Sequence, residues 1–252
     1  SVAGFKFSER GQHAVYVGLR EGKWFGVVDG VPHGPFDELR SLSSAQKGGS
    51  PEKMADAFEI SADGSRVGFV GKRGEEWFVV VDGKEVGPYT GCTGLALSPE
   101  GSRVAYLATR GEGWFMMVDG VEQSTHALES LSFSPDGKRL ASIVKRGEKR
   151  LALIDGKEGK EYDKIDAPGI RFSPDGKRTA YLAELDNEKL VVVDGIEGQH
   201  FKRLGKTPLS FAPNSSHYFY SVRRGEKREA LVVDGVEGPV VSSYRSLTFS
   251  PD

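Results

Sequence analysis

Apolar residues in this chain fall into short runs, each closed by a cluster of turn residues, and the runs are of two kinds. One kind alternates, as in Val104-Ala105-Tyr106-Leu107. The other is nearly continuous, as from Trp114 to Val118 and from Leu190 to Val193. Alternation suits a strand with one covered face, and an unbroken apolar run suits a strand covered on both. Neither pattern is long enough, or has the right period, for a helix.

The punctuation between runs says how they connect. In Ser130 to Ile165, four runs are separated by three tight turns. Pro135, Asp136 and Gly137 supply the first: proline presets a negative φ, aspartate bonds back to the backbone and glycine accepts a positive φ. Arg146-Gly147-Glu148 supplies the second, and Asp155-Gly156 is the dipeptide preferred in a two-residue type I′ hairpin. The unit therefore reads as four antiparallel strands.

This unit recurs along the whole chain. FSPDG-like phrases begin at Phe7, Ile60, Leu97, Phe133, Phe172, Phe211 and Phe249, at spacings of 53, 37, 36, 39, 39 and 38 residues. A second anchor, VVDG or a near variant, places Asp29, Asp82, Asp119, Asp155, Asp194 and Asp234 before a glycine. A period in this range marks solenoids, arrays or propeller blades, and four-stranded sheets stacked about an axis make a β-propeller. The expected fold is all-β, one β-propeller domain over 1–252 with six four-stranded antiparallel blades, its units starting near 3, 56, 93, 130, 168 and 207. Seven blades are the alternative, because 246–252 repeats a first-strand phrase and the chain reads as part of a longer polypeptide.

The FSPDGKR-x-AY phrase, best preserved at 133–141 and 172–181, resembles the WD-repeat-like β-propeller repeat of the TolB-like group. The resemblance covers essentially the whole chain. It implies a propeller and raises the expectation of binding, because such propellers occur as protein-interaction platforms, as gating domains beside prolyl-oligopeptidase-type hydrolases and as ectodomains of larger bacterial proteins. It points to a periplasmic or extracellular setting, with the cytoplasm left open. The VVDGxEGxxYD phrase departs from the TolB pattern.

Charge and composition narrow the partners. Lysine and arginine total 34 against 36 acidic residues, a net charge of −2, so no global basic field invites nucleic acid or an anionic membrane. No apolar stretch approaches the roughly 18 residues that a membrane-spanning helix needs, and no leader stands at Ser1. Cys92 is the single cysteine, so no internal disulfide can form.

Candidate chemistry is sparse. G-x-S-x-G, G-x-G-x-x-G and H-E-x-x-H are absent from the sequence, so no catalytic residue, cofactor or metal site is expected. Gly205-Lys206-Thr207 lacks the leading glycine of a phosphate loop, which is His200 here, and Asn214-Ser215-Ser216 sits where other units carry a turn. His33, His126 and His200 fall in fourth strands of separate blades, too far apart to share an ion, and read as solvated. His13 and His217 replace the arginine found at Arg66, Arg103, Arg139 and Arg178; ring closure would make their blades neighbours. The repeated aspartates are expected to satisfy turn backbones.

Function is sought where the units disagree. Ser41 to Ala57 is an insertion of about 15 residues, expected between the last strand of blade one and the first of blade two, with Pro51 opening a short helix. Antiparallel geometry would place it on the side of the turns between second and third strands. That side is the expected binding face, through Arg20, Lys23, Gln46, Lys47, Lys53, Arg73, Arg110, Arg146, Lys149, Arg223 and Arg224. The expected function is a non-enzymatic scaffold for a protein or peptide partner. The alternative is the propeller part of a larger enzyme, gating a hydrolase or working through its central channel.

Overall fold

A computed structural model describes residues 2–9, 11–40, 57–111, 113–124, 127–166, 169–226 and 228–242. The seventh first-strand phrase at 246–252, most of the insertion and His126 lie outside the described residues. The described residues form six antiparallel sheets and no α-helix: the chain is an all-β propeller fold of six blades. Contacts gather it into two compact units, Ser1–Gly137 and Lys138–Asp252, and the division falls in the first turn of the fourth blade.

Each blade runs in simple meander order. Blade one consists of Val2–Phe7, Ala14–Arg20, Lys23–Val28 and Val31–Phe36. Blade three is Gly91–Leu97, Val104–Arg110, Gly113–Val118 and Val121–Ser124. The third strands are the continuous apolar runs, and burial on both faces explains why: Val79 and Val80 in blade two, and Leu190, Val191 and Val192 in blade five, are all buried.

First strands are less regular than the repeats suggest. In blades one and three the ladder to the second strand slips between Ala3 and Lys6 and between Thr93 and Ala96, with Gly4 and Gly94 at positive φ. Such a bulge inserts a residue and bends the strand. In blade two the same place is opened wide: Glu38–Arg40 and Phe58–Ile60 are two halves of one first strand, Arg40 facing Val70 and Phe58 facing Phe69. The insertion therefore does not lie between blades, as its sequence position suggested. It leaves and re-enters halfway along the first strand of blade two, because a bulge already breaks the ladder there and extra residues cost no further hydrogen bond. The helix expected from Pro51 lies outside the described residues, apart from the buried Ala57.

The Asp-Gly turns are as expected. Asp155 and Gly156 have φ of 52° and 76°, both positive as a type I′ turn demands. The turns between second and third strands come in two forms. Gly74, Gly111 and Gly147 supply one positive φ in blades two to four, whereas Glu21-Gly22 and Asp186-Asn187 supply two in blades one and five.

Blades meet through an aromatic joint. In blades one, two, four and five the residue seven after the DG aspartate ends the fourth strand and packs on an aromatic of the next blade's second strand: Phe36 on Phe69, Tyr89 on Tyr106, Tyr162 on Tyr181 and Phe201 on Tyr220, at ring separations of 5.8–6.1 Å. Edge-to-face pairs of this kind add to the free energy of burying their area. Gly71 is needed beside Phe36, since a Cβ there would lie 2.6 Å from the ring. Tyr89 and Tyr106 also share a hydroxyl contact of 2.7 Å, and burial, followed by that neighbour, pushes the Tyr106 phenol upward.

Two outcomes are expected. Phe36→Ala empties a joint and should cost about 3–5 kcal/mol in urea denaturation; a loss below about 1 kcal/mol would show that the joint collapses to fill the space. A Cβ at Gly156 would meet nothing within 4 Å, so Gly156→Val should cost about 1–3 kcal/mol from backbone strain alone. Gly156→Asn, a residue that tolerates positive φ, should cost clearly less in the same measurement.

Candidate functional site

The two ends of each blade differ in chemistry, and the end bearing the PDG and DG turns is built for cohesion. Each DG aspartate accepts a second-strand backbone N–H on one oxygen, from Val67, Val104, Leu140 and Thr179 at 2.8–3.1 Å. Its other oxygen takes the Nε of Arg66, Arg103, Arg139 or Arg178 at 2.7–2.9 Å. The same arginines reach the next blade's PDG turn, donating to the carbonyls of Gly101, Gly137, Lys177 and Ser216. Arg103, Arg139 and Arg178 also lie over Phe133, Phe172 and Phe211 at the start of that turn. The repeated aspartates are thus more than turn formers: they aim the arginines that staple one blade to the next.

The PDG turns are tied down as firmly. Buried Ser98 and Ser173 accept the N–H of Arg103 and Arg178 at 2.9 and 3.0 Å. Ser173 donates to Asp175, and with the Lys177 N–H this holds the Asp175 carboxyl at about 2.

Histidine replaces the stapling arginine in the first and sixth blades. His13 binds Asp29 at 2.5 Å and His217 binds Asp234, each within its own blade. His33 packs its ring against Gly83 of the next DG turn rather than standing in solvent, and His200 lies 3.4 Å from Glu188. Among the described residues no three His, Cys, Asp or Glu side chains cluster as metal ligands. Cys92 is buried, which pushes its thiol up to about 12.

The end bearing the turns between second and third strands carries the expected binding residues, and most of them have internal duties. Arg73 forks onto Glu85 and lies over Phe36 of the preceding blade. Arg110 approaches Glu122 at 3.6 Å, Arg146 binds Glu158 and Glu161 at 2.7 and 3.0 Å, and Arg224 holds Glu237 while covering Phe201. Lys23 binds Asp37, and Lys149 binds Asp163 at 2.6 Å. Arg223 ends a second strand, its N–H bonded to the Arg203 carbonyl. Gln46, Lys47 and Lys53 lie outside the described residues.

Two partners here escaped the reading of the sequence, although both left a trace in it. A glutamate stands three residues after the DG aspartate at Glu85, Glu122, Glu158, Glu197 and Glu237, and these are the carboxylates that the turn arginines seek. Glu197, with no arginine at Leu185, takes Lys160 of the preceding blade instead. The aspartate after the fourth strand, Asp37 or Asp163, accepts a lysine of its own blade and the turn N–H of Gly74 or Asp186 in the next. It ties blade one to the turn of blade two, and blade four to the turn of blade five.

Arg20 is the exception. Pro32 stands in place of its counterpart glutamate, and its side chain is 82% exposed, with Glu21 at 3.5 Å as its ion-pair partner. The geometry displays an exposed arginine where sibling blades neutralise theirs.

The clamp makes a prediction in pH. Hydrogen bonds from Lys149 and from the Asp186 N–H hold the Asp163 carboxyl below its ordinary value. A carboxylate with a lowered folded pKa stabilises above its unfolded pKa and loses that contribution as pH falls through the folded one. Asp163→Asn should therefore melt below the parent at neutral pH, with the gap narrowing once pH drops under about 3.9. Thermal melts across that range check it, and a gap independent of pH would remove the charge from the explanation.

No family model matches the chain, and no curated protein matches it. Among solved structures it is similar to TolB from Acinetobacter baumannii, with 14% identity over 92% of this chain and 60% of that one and a TM-score of 0.43. It is similar to a eukaryotic initiation factor, with 11% identity over 95% and 65% of the two chains and a TM-score of 0.51. It is also similar to the β-propeller domain of Cps50 (Swd1) from Myceliophteria thermophila, with 10% identity over 96% and 86% and a TM-score of 0.38. The chain spans about three fifths of the TolB structure and two thirds of the initiation factor structure. At this identity the likeness to the initiation factor concerns the fold alone.

Proposed function

We propose that this protein is a non-enzymatic propeller scaffold that holds a protein or peptide partner along the edge formed by the turns between second and third strands. The observation that carries the reading is Arg20, an arginine of the repeat without the repeat's glutamate, 82% exposed at a turn of defined geometry. A charge held on a rigid backbone loses little entropy when it meets a carboxylate, and an exposed arginine discriminates partners by sign and geometry. Arg73, Arg110, Arg146 and Arg224 contribute by shaping the edge. Their charges are already matched inside their blades. The insertion, rooted in the first strand of blade two, supplies Gln46, Lys47 and Lys53 as further contacts, so the partner spans the first two blades.

The test is a photo-crosslinking residue placed at Glu21 and, separately, at Lys138 or Lys177 in the PDG turns, with adducts collected in the producing cells. Adducts from position 21 that disappear in Arg20→Glu and weaken as salt is raised are expected. Pro32→Glu, which gives Arg20 the carboxylate found in the other blades, should weaken the same adducts while leaving the melting temperature unchanged. Adducts formed only from positions 138 and 177 would put recognition on the other end of the blades and overturn the reading.

A further inference from the structure

The repeat sets its own rule for the residue that follows a fourth strand. Asp37 and Asp163 stand there in blades one and four, each bonded to the lysine that opens its own third strand, Lys23 or Lys149. Each gives its other oxygen to the first turn N–H of the next blade, from Gly74 at 2.7 Å and from Asp186 at 2.8 Å. In blade five the equivalent residue is Lys202, and the third strand opens with Glu188, one step past the Lys189–Phe201 pair. The two charges have changed places.

The exchange matters because an ammonium cannot accept an N–H. Gly225 is the counterpart of Gly74 and Asp186 in the turn of blade six, and among the described residues nothing accepts its N–H. The space over it is open, since a Cβ at Gly225 would meet nothing within 4 Å. Glu188 lies 3.4 Å from His200 instead.

Cations gather around this turn. The Arg203 carbonyl accepts the N–H of Arg223 at 3.1 Å, and the Arg228 carbonyl accepts that of Arg224 at 2.8 Å, which brings 202–203, 223 and 228 to one corner. Lys202, Arg203 and Arg228 are exposed and Arg223 is half-buried, and none of the four makes an ion pair among the described residues. Lys23, Lys149 and Lys189 all have carboxylates. Of the acidic residues at the corner, Glu237 holds Arg224, Glu229 takes Ser221 and the Lys206 N–H, and Glu226 belongs to the turn itself. The corner lies wholly within the unit Lys138–Asp252.

We propose that this corner of blades five and six binds an acidic peptide, one carboxylate of which takes the place that Asp37 and Asp163 fill elsewhere. A carboxylate has an oxygen for the Gly225 N–H and another for an ammonium or guanidinium, in charge-assisted bonds. The cations are spread over two blades, so a run of aspartates or glutamates matches them better than a single small acid. The site is separate from Arg20 and uses none of its chemistry.

A fluorescein-labelled hexaglutamate peptide, followed by fluorescence anisotropy, is the probe. The unmodified chain should bind it saturably, and less tightly as salt is raised. Glu188→Lys combined with Lys202→Asp restores the clamp of blades one and four, so the melting temperature should hold or rise while the peptide binds about tenfold more weakly. Arg223→Gln combined with Arg228→Gln should weaken binding to a similar extent, and decides the matter if the exchange harms folding. Arg20→Gln should leave binding unchanged. Absence of saturable binding to the unmodified chain would overturn the proposal, as would binding that both double variants keep within about twofold of the parent. Inorganic phosphate that displaces the peptide at concentrations where acetate does not would make the corner a phosphate site and overturn the peptide reading.

Discussion

A four-stranded blade has two apolar faces and can cover neither by itself. Everything else in this protein follows from that constraint. The third strand is apolar over most of its length because both of its faces meet other side chains, and in blades one, two, four and five the fourth strand ends in a ring that packs against the next blade's second strand. Even the charged residues of the turns serve the joint. In blades two to five the arginine after the PDG turn bridges its own DG aspartate to the next blade's backbone, and Asp37 and Asp163 after the fourth strands of blades one and four lock the neighbouring turn.

Such economy leaves little free for recognition. An arginine repeated in nearly every blade invites reading as a binding residue, yet Arg73, Arg146 and Arg224 are occupied by strand-four glutamates. Exposed pairs of this kind add little to stability one at a time. Their effect is to fix the geometry of an edge whose backbone is already clamped. Where one member of the pairing is replaced, as by Pro32 opposite Arg20, the remaining charge becomes available on a surface that is otherwise rigid.

The same logic applies to apolar surface. A large ring exposed at Phe5 or Phe7 would be ordinary singly, because folded proteins expose much apolar area. At the positions equivalent to Phe5, Phe58, Leu95 and Leu209 are buried, while those equivalent to Phe7, such as Phe172 and Phe211, are half-buried. A repeat protein carries internal controls of this kind, and they say which exposed residues are out of place.

Much of this architecture was legible in the residues themselves. The four-strand unit, its three turns and the positive φ of Asp155-Gly156 follow from local chemistry, since proline, aspartate and glycine have few backbone conformations available and apolar runs report which strands are covered. The spacing of Phe7, Ile60, Leu97 and their successors gave the blades. Long-range pairing was not legible, because a side chain's partner depends on which elements the fold brings within a few ångströms. Sequence spacing alone could not reveal that Glu158 faces Arg146 or that Asp163 clamps the turn of the next blade. It also placed the insertion between blades, when the tertiary structure roots it inside a strand. Glu38–Arg40 has no strand-like pattern of its own and becomes a strand only because Val70 to Lys72 offer it a ladder.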